Sequence, residues 1–344
     1  MCYYCGNVFE SHKFDSVFSA SAGTNQTLAN YLTSGYWGQN TRKFNLTNSG
    51  TNAKSGTLTY NTVGNSFDLD GLGTARSSIV DEAFKVLEEI LGIDFQETSN
   101  IDADFRFGDE DSGAYASTTH SGGYIDYVNI NINSTWHGSR SGFGNYTFQT
   151  ILHEIGHGLG LGHQGNYNGW ANYSTHANYA NDSWQSSIMS YFDQIDNTSI
   201  TASYAYISTF MPVDWIAIND LYAAQGYSSS NAFSGNTIYG FNTNISSSKS
   251  KIFYELSDWI SSTAFTIVDE LGTDTLDFSG FSDDQNINLN SCDKGSTSVV
   301  SSDIGGLVGN LLLASGTTIE NCISGSGNDW LTGNSASNVI EAGS

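Results

Sequence analysis

The stretch "HEIGHGLGLGH", residues 153–163, decides the reading of this chain. His153 and His157 lie four apart, so a helix places both imidazoles on one face, one turn apart. Glu154 sits between them, giving the HExxH arrangement of a zinc site with a carboxylate base. The pattern extends as HExxHxxGxxH through Gly160 to His163. On an unbroken helix His163 would fall about 240° around the axis from His157. The chain must therefore turn at Gly160, where a positive φ is available. Three neutral imidazoles then face one ion and leave a fourth position for water, a catalytic rather than a structural zinc geometry.

Outward from this stretch, the sequence predicts a helix over "YTFQTILHEIGHGLGLG". A second is predicted where Ile79, Ala83, Val86, Leu87, Ile90 and Leu91 recur at steps of three and four before a stop at Gly92. A third is predicted over 211–225, with Pro212 in its first turn. Strands are expected at 56–63, 103–109, 113–118 and 124–132, where β-branched and aromatic residues alternate with polar ones. The polar stretch from the zinc motif to about residue 186 is too long for a plain connection and reads as functional.

After about residue 228 helical periodicity vanishes, and short strands alternate with Gly, Asn, Asp and Ser. "SGSGNDWLT" (324–332) and "GNSASNVIE" (333–341) repeat with a nine-residue period, the pattern of a calcium-binding parallel β-helix. Asp329 and Leu331 fill its acidic and apolar positions; Asn338 and Ile340 fill them in the second copy. The repeat stops early, so this module is expected to be a truncated one.

The 344 residues carry 35 acidic and 11 basic side chains, a net charge of −24. Phosphate binding needs a basic footprint, so nucleic acid is excluded as an expected partner. No apolar run is long enough to span a membrane. The start "MCYYCGNVF" has neither the basic region nor the apolar run of a signal peptide.

"HEIGHGLGLGH" followed by "SIMSYFD" (187–193) resembles the metzincin metalloproteases, and within them the serralysin family of secreted bacterial zinc endopeptidases. The resemblance continues through "AYA" (114–116), "PVDWIAINDLY" (212–222), "YGFNTN" (239–244), "GTDTLDFSGF" (272–281) and "TTIENCISGSGND" (317–329). It implies an α+β metzincin catalytic domain with a twisted mixed sheet and an active-site helix over residues 1–228. An all-β parallel β-roll or sandwich that binds calcium would follow over 229–344. It implies a secreted, extracellular zinc endopeptidase, expected as a monomer, acting on extended peptides with Glu154 as general base. Met189 is then the Met-turn residue beneath the zinc. Tyr191 would ligate the resting zinc and swing away to hydrogen-bond the oxyanion. Ala114, Tyr115 and Ala116 would form the edge strand that receives substrate. Asp269, Gly272, Asp274, Thr318, Glu320 and Asp329 would bind calcium. An adhesion or surface module that binds zinc and calcium without turnover is the alternative; the intact Glu154 and Tyr191 favour the enzyme.

Departures from the family pattern carry their own expectations. Gln164 stands where the family often has Pro. Cys292 and Cys322 are expected to form a disulfide between stacked roll strands, stabilising by about 3–4 kcal/mol. Cys2 and Cys5 are expected to pair locally or to form an inert terminus, with a thiolate from one of them on the zinc at about 2.3 Å as the alternative. His12, His120, His137 and His176 are expected to be ordinary surface residues. Glycine costs about 1 kcal/mol in a helix relative to alanine. Gly160 is explained by the turn, and Gly156 by close packing beside the metal. Gly158 and Gly162 are read as softening the helix end, so Gly158→Ala is expected to raise stability.

Overall fold

The computed structural model describes residues 20–136 and 143–343. Cys2, Cys5, His12 and His137, with the expectations attached to them, lie outside this range. Among the described residues no helix is long and apolar enough to cross a membrane. The architecture is mixed α/β with three sheets.

Short helix α1 (Asn25–Asn30) begins the described chain. The apolar stripe of residues 79–91 forms α2 (Thr74–Leu91), whose Ile79, Ala83, Val86, Leu87, Ile90 and Leu91 are all buried. It ends where Gly92 takes φ 71°, a left-handed conformation that glycine adopts without a Cβ clash. The first sheet holds β1 (Lys43–Phe44), β2 (Thr57–Asn61), β3 (Asp94–Glu97), β4 (Phe105–Gly108), β5 (Ala114–Ser121) and β6 (Tyr124–Ile132). β6 pairs in parallel with β1 near its start and with β4 farther on, and the parallel order continues through β2 to β3. β5 runs antiparallel along the other side of β6, from Ala114 opposite Ile132 to Ser121 opposite Tyr124. Among the described residues nothing pairs with the far side of β5, so it is the sheet's open edge.

Helix α3 (Tyr146–Gly158) carries the histidine motif and touches β5, β6 and α2. Asn145 caps it, its side chain accepting from the Phe148 N–H. The core here is aromatic: the Phe105 ring lies 5.2 Å from Phe84 and 5.3 Å from Phe44. The long polar stretch follows, containing the single turn α4 (Tyr173–His176). Then comes α5 (Pro212–Tyr222), with Pro212 in its first turn as the sequence predicts.

Two sheets make up most of the remainder. β8 (Ile238–Gly240), β10 (Thr275–Asp277), β14 (Asn321–Ile323) and β16 (Val339–Glu341) stack in parallel. The other holds β7 (Tyr206–Ile207), β9 (Thr263–Ile267), β11 (Asn286–Asn288), β12 (Ser301–Ile304), β13 (Leu307–Leu313) and β15 (Trp330–Thr332). The nine-residue period acquires a spatial meaning here. β14, β15 and β16 begin at 321, 330 and 339, and the middle one pairs with β11 in the opposite sheet. Each copy of the repeat therefore crosses from one sheet to the other, and every second copy returns.

The expected Cys292–Cys322 disulfide is absent: both are free, buried cysteines. Cys322 stacks between Leu276 and Ile340 in the four-stranded sheet. The Cys292 N–H instead bonds the Leu313 carbonyl at the end of β13, in the other sheet. Adjacent strands in the stack thus bring Leu276, not Cys292, beside Cys322. Burial raises the Cys292 thiol to about 12 and that of Cys322 to about 11, so both behave as small core hydrophobes.

Candidate metal centre and peptide cleft

Helix α3 supplies His153 and His157, and the chain then reverses. Gly160 has φ 108°, and a Cβ there would lie 1.9 Å from the Arg42 carbonyl oxygen. The turn is held from outside: Tyr222 donates its hydroxyl to the Leu159 carbonyl at 2.8 Å, and Trp37 Nε1 donates to the Gly160 carbonyl at 2.9 Å. His163 is thereby carried back to the helix face. Its Nε2 lies 3.0 Å from His157 Nε2 and 3.4 Å from His153 Nε2.

The orientation of each ring follows from its other nitrogen. Nδ1 of His153, His157 and His163 lies 2.8 Å from the carbonyls of Ile188, Leu161 and Tyr167 respectively. A carbonyl only accepts, so each Nδ1 is the protonated donor and each Nε2 presents a lone pair to the shared point. Burial lowers His153 to about 4. Burial, then the neighbouring His153, lowers His157 to about 3, and burial carries His163 well below its ordinary value. Three neutral imidazoles at near contact are the donor set a metal requires.

Met189 is fully buried beneath this group. A Cβ on Gly156 would meet its Sδ at 2.7 Å, so this glycine does allow close packing beside the histidines. The turn holding Met189 is fixed by Asp214, which no local pattern in the sequence ties to this turn. Its carboxylate accepts from the Ser187 hydroxyl at 2.6 Å, the Ile188 N–H at 2.8 Å and the Met211 N–H at 2.9 Å. Ile188 thus gives its N–H to Asp214 and its carbonyl to His153. Tyr191 stands beside the triad, its ring centroid 4.5 Å from that of His163 and its hydroxyl accepting from the Gly169 N–H at 3.2 Å.

Gly158 and Gly162 do not soften the helix end. A Cβ on Gly158 would lie 2.5 Å from Phe105 Cε1, and one on Gly162 would lie 2.5 Å from Tyr36 Cβ. Both positions are contact points rather than soft ones. Gly158→Ala is now expected to destabilise by about 1–3 kcal/mol through overpacking against the fully buried Phe105. Urea denaturation checks this, and a raised midpoint would show that Gly158 softens the helix end.

Glu154, His157 and His163 line one cleft together with Tyr36, Trp37, Arg42 and the edge-strand segment 115–118. Tyr115 and Ala116 are therefore at the cleft, while Ala114 is buried at the start of the strand. His120 is exposed and His176 half-buried against Trp170, neither near the triad's point of convergence.

The residues expected to hold calcium gather less tightly. Among the described residues, the groups of three donors close enough to share an ion are the histidine triad and Asp68, Asp70 and Glu110, the latter unanticipated from sequence. Asp274 accepts from the Thr237 N–H at 2.7 Å, and Glu320 accepts from the Asp274 N–H at 2.8 Å. Asp269 accepts from the Tyr239 hydroxyl at 2.9 Å, and its carbonyl accepts the Thr318 N–H. Gly272 takes φ 132°, with no room for a Cβ against the Gly235 carbonyl. Asp329 accepts from the Gln285 N–H at 2.9 Å. Burial, then the charge of Asp274, raises Asp269 to about 7; burial chiefly, with Glu320 adding, raises Asp274 to about 6. Asp274 Oδ2 is buried without a hydrogen-bond partner.

Residues 229–341 match the family model described as Peptidase M10 serralysin C terminal. The metalloprotease AprA of Pseudomonas entomophila is 42% identical over 216 residues, 61% of this chain and 41% of that protein. The metallopeptidase AprA of Pseudomonas marginalis is 34% identical over 304 residues, 85% of this chain and 60% of its own. Serralysin B of Dickeya chrysanthemi is 39% identical over 237 residues, 68% of this chain and 45% of its own. The chain thus spans about 41–60% of the length of these relatives. With the similarity running through both the histidine motif and the stacked strands, the chain belongs to the serralysin family.

Proposed function

We propose that this chain is a secreted, extracellular zinc endopeptidase, acting as a monomer on extended stretches of protein substrate. The observation that carries the reading is the meeting of three Nε2 lone pairs with Glu154 in a cleft bordered by the open edge of β5. His153, His157 and His163 would hold the zinc. Zinc, when bound, supplies a Lewis acid that polarises the scissile carbonyl and acidifies water. An extended peptide adds to β5 at residues 114–118 through backbone hydrogen bonds. Glu154 takes the proton of the attacking water and delivers it to the leaving amine nitrogen as the C–N bond breaks and the C–O bond forms. Tyr191, beside His163, donates its hydroxyl to the oxygen that gains charge in the transition state. Casein hydrolysis tests the reading: it should be abolished by a zinc chelator and restored by added zinc. Folded protein with no chelator-sensitive hydrolysis would contradict it.

Residues 1–228 would form the catalytic domain and 229–344 a calcium-binding β-roll. Asp269, Asp274 and Glu320, with Gly272 and the carbonyl of Thr318, supply oxygen donors of the kind calcium selects, and the orphaned Asp274 Oδ2 fits such an ion. Asp329 would serve a neighbouring turn. The raised carboxylates fix the sign of the pH dependence. A carboxyl whose folded pKa exceeds its unfolded value stabilises fully below the unfolded pKa, near 4, and loses that contribution as pH rises through the folded pKa. The calcium-free fold is therefore expected to weaken between about pH 4 and 7, where Asp269 and Asp274 ionise. Calcium relieves their repulsion, so it should raise the melting temperature more at pH 8 than at pH 5. An equal shift at both pH values would contradict the assignment.

A further inference from the structure

One wall of the cleft carries a cation that the proposed hydrolysis does not use. The Arg42 guanidinium carbon sits 4.0 Å above the centroid of the Trp37 ring, and Nη1 donates to Thr118 Oγ1 at 3.3 Å. Thr118 is on β5, so the charge is fixed beside the strand edge along which a peptide would lie. Trp37 is itself anchored to the Gly160 carbonyl, and the Arg42 backbone packs on the Gly160 turn. The guanidinium is thus positioned by the same turn that positions His163.

Among the described residues its charge meets no carboxylate. Lys54, Arg76, Lys85 and Arg106 each reach a carboxylate, whereas Arg42, in common with Lys43, Lys249, Lys251 and Lys294, reaches none among the described residues. Arg42 is the one Lys or Arg among the described residues lining the cleft, in a chain with 35 acidic and 11 basic residues, and Glu154 lines the same cleft. Burial lowers the pKa of Arg42, and among the described residues it is Tyr36 that raises it. A partly desolvated, pre-oriented guanidinium favours a carboxylate, which it engages through two parallel hydrogen bonds.

We propose that Arg42 is a specificity-determining residue that selects a substrate with an aspartate or glutamate side chain lying beside Thr118. This rests on the protease reading. The cleft follows β5 over residues 115–118, so the selected position falls within about four residues of the scissile bond at one strand residue per ~3.3 Å. Stacking on Trp37 removes rotamer freedom from the arginine before substrate arrives, which lowers the entropy cost of the ion pair.

The test is a positional peptide library cleaved by the zinc- and calcium-loaded chain, followed by matched fluorogenic peptides with Glu, Gln or Lys at the selected position. The wild-type protein should favour Glu over Gln by about five- to tenfold in kcat/KM, less at high salt. Arg42→Gln should bring that ratio to about one. Arg42→Glu should make Lys the preferred residue there, and this reversal cannot arise from a folding defect. Cleavage with no acidic preference, or a preference unchanged in Arg42→Gln, would overturn the assignment of Arg42 alone. Failure of the loaded wild-type protein to cleave any library member would overturn the protease reading and this inference with it.

Discussion

Glu154→Gln is expected to lower kcat by about 10²–10⁴-fold or more while leaving the zinc content of the protein unchanged. Glu154 lies on α3 between two of the converging histidines and faces the cleft without being one of the three donors. Glutamine preserves its length and burial but cannot accept the proton of water at neutral pH. Binding of a peptide-based inhibitor should survive, because the β5 edge and the histidine triad are untouched. Metal analysis beside steady-state kinetics checks both halves. Loss of zinc together with activity would show that Glu154 organises the metal centre instead; retained hydrolysis would show that the base lies elsewhere.

Gly160→Ala is expected to have the largest effect on the fold around the site. An alanine held at φ 108° pays for a left-handed conformation, about 1–2 kcal/mol. Its Cβ would also strike the Arg42 carbonyl oxygen, and relieving such a contact adds about 1–3 kcal/mol. Since the turn places His163, relaxation should pull Nε2 away from the other two and weaken zinc binding. Thermal unfolding with and without zinc measures this: the wild-type protein should gain stability from the metal, and the variant should gain far less. A variant with the wild-type midpoint and zinc response would mean that Gly160 is not the enforced turn.

The sequence made the histidine-bearing helix, the turn at Gly160 and the strands bordering the cleft legible, because each rests on local periodicity or on a conformation that only glycine adopts easily. What it hid was tertiary. Gly158 looks like a weak helix residue until Phe105 is seen against it, an aromatic brought there from β4. Asp214 looks like an N-terminal helix acid until its carboxylate is found holding the Ile188 N–H behind His153. Cys292 and Cys322 both fall in the strand-rich C-terminal stretch, which suggests stacking, whereas the alternation of successive strands between two sheets is not visible in the sequence. Arg42 lies far from the histidine motif in sequence, and no local pattern ties it to Thr118.

The most direct test of the central claim is a zinc titration of the metal-free, calcium-loaded chain, followed by the rate of peptide hydrolysis. The rate should rise linearly and break at about one zinc per chain, as expected for a single three-histidine site. Hydrolysis that is absent at every zinc concentration, or already complete in the metal-free protein, would contradict it.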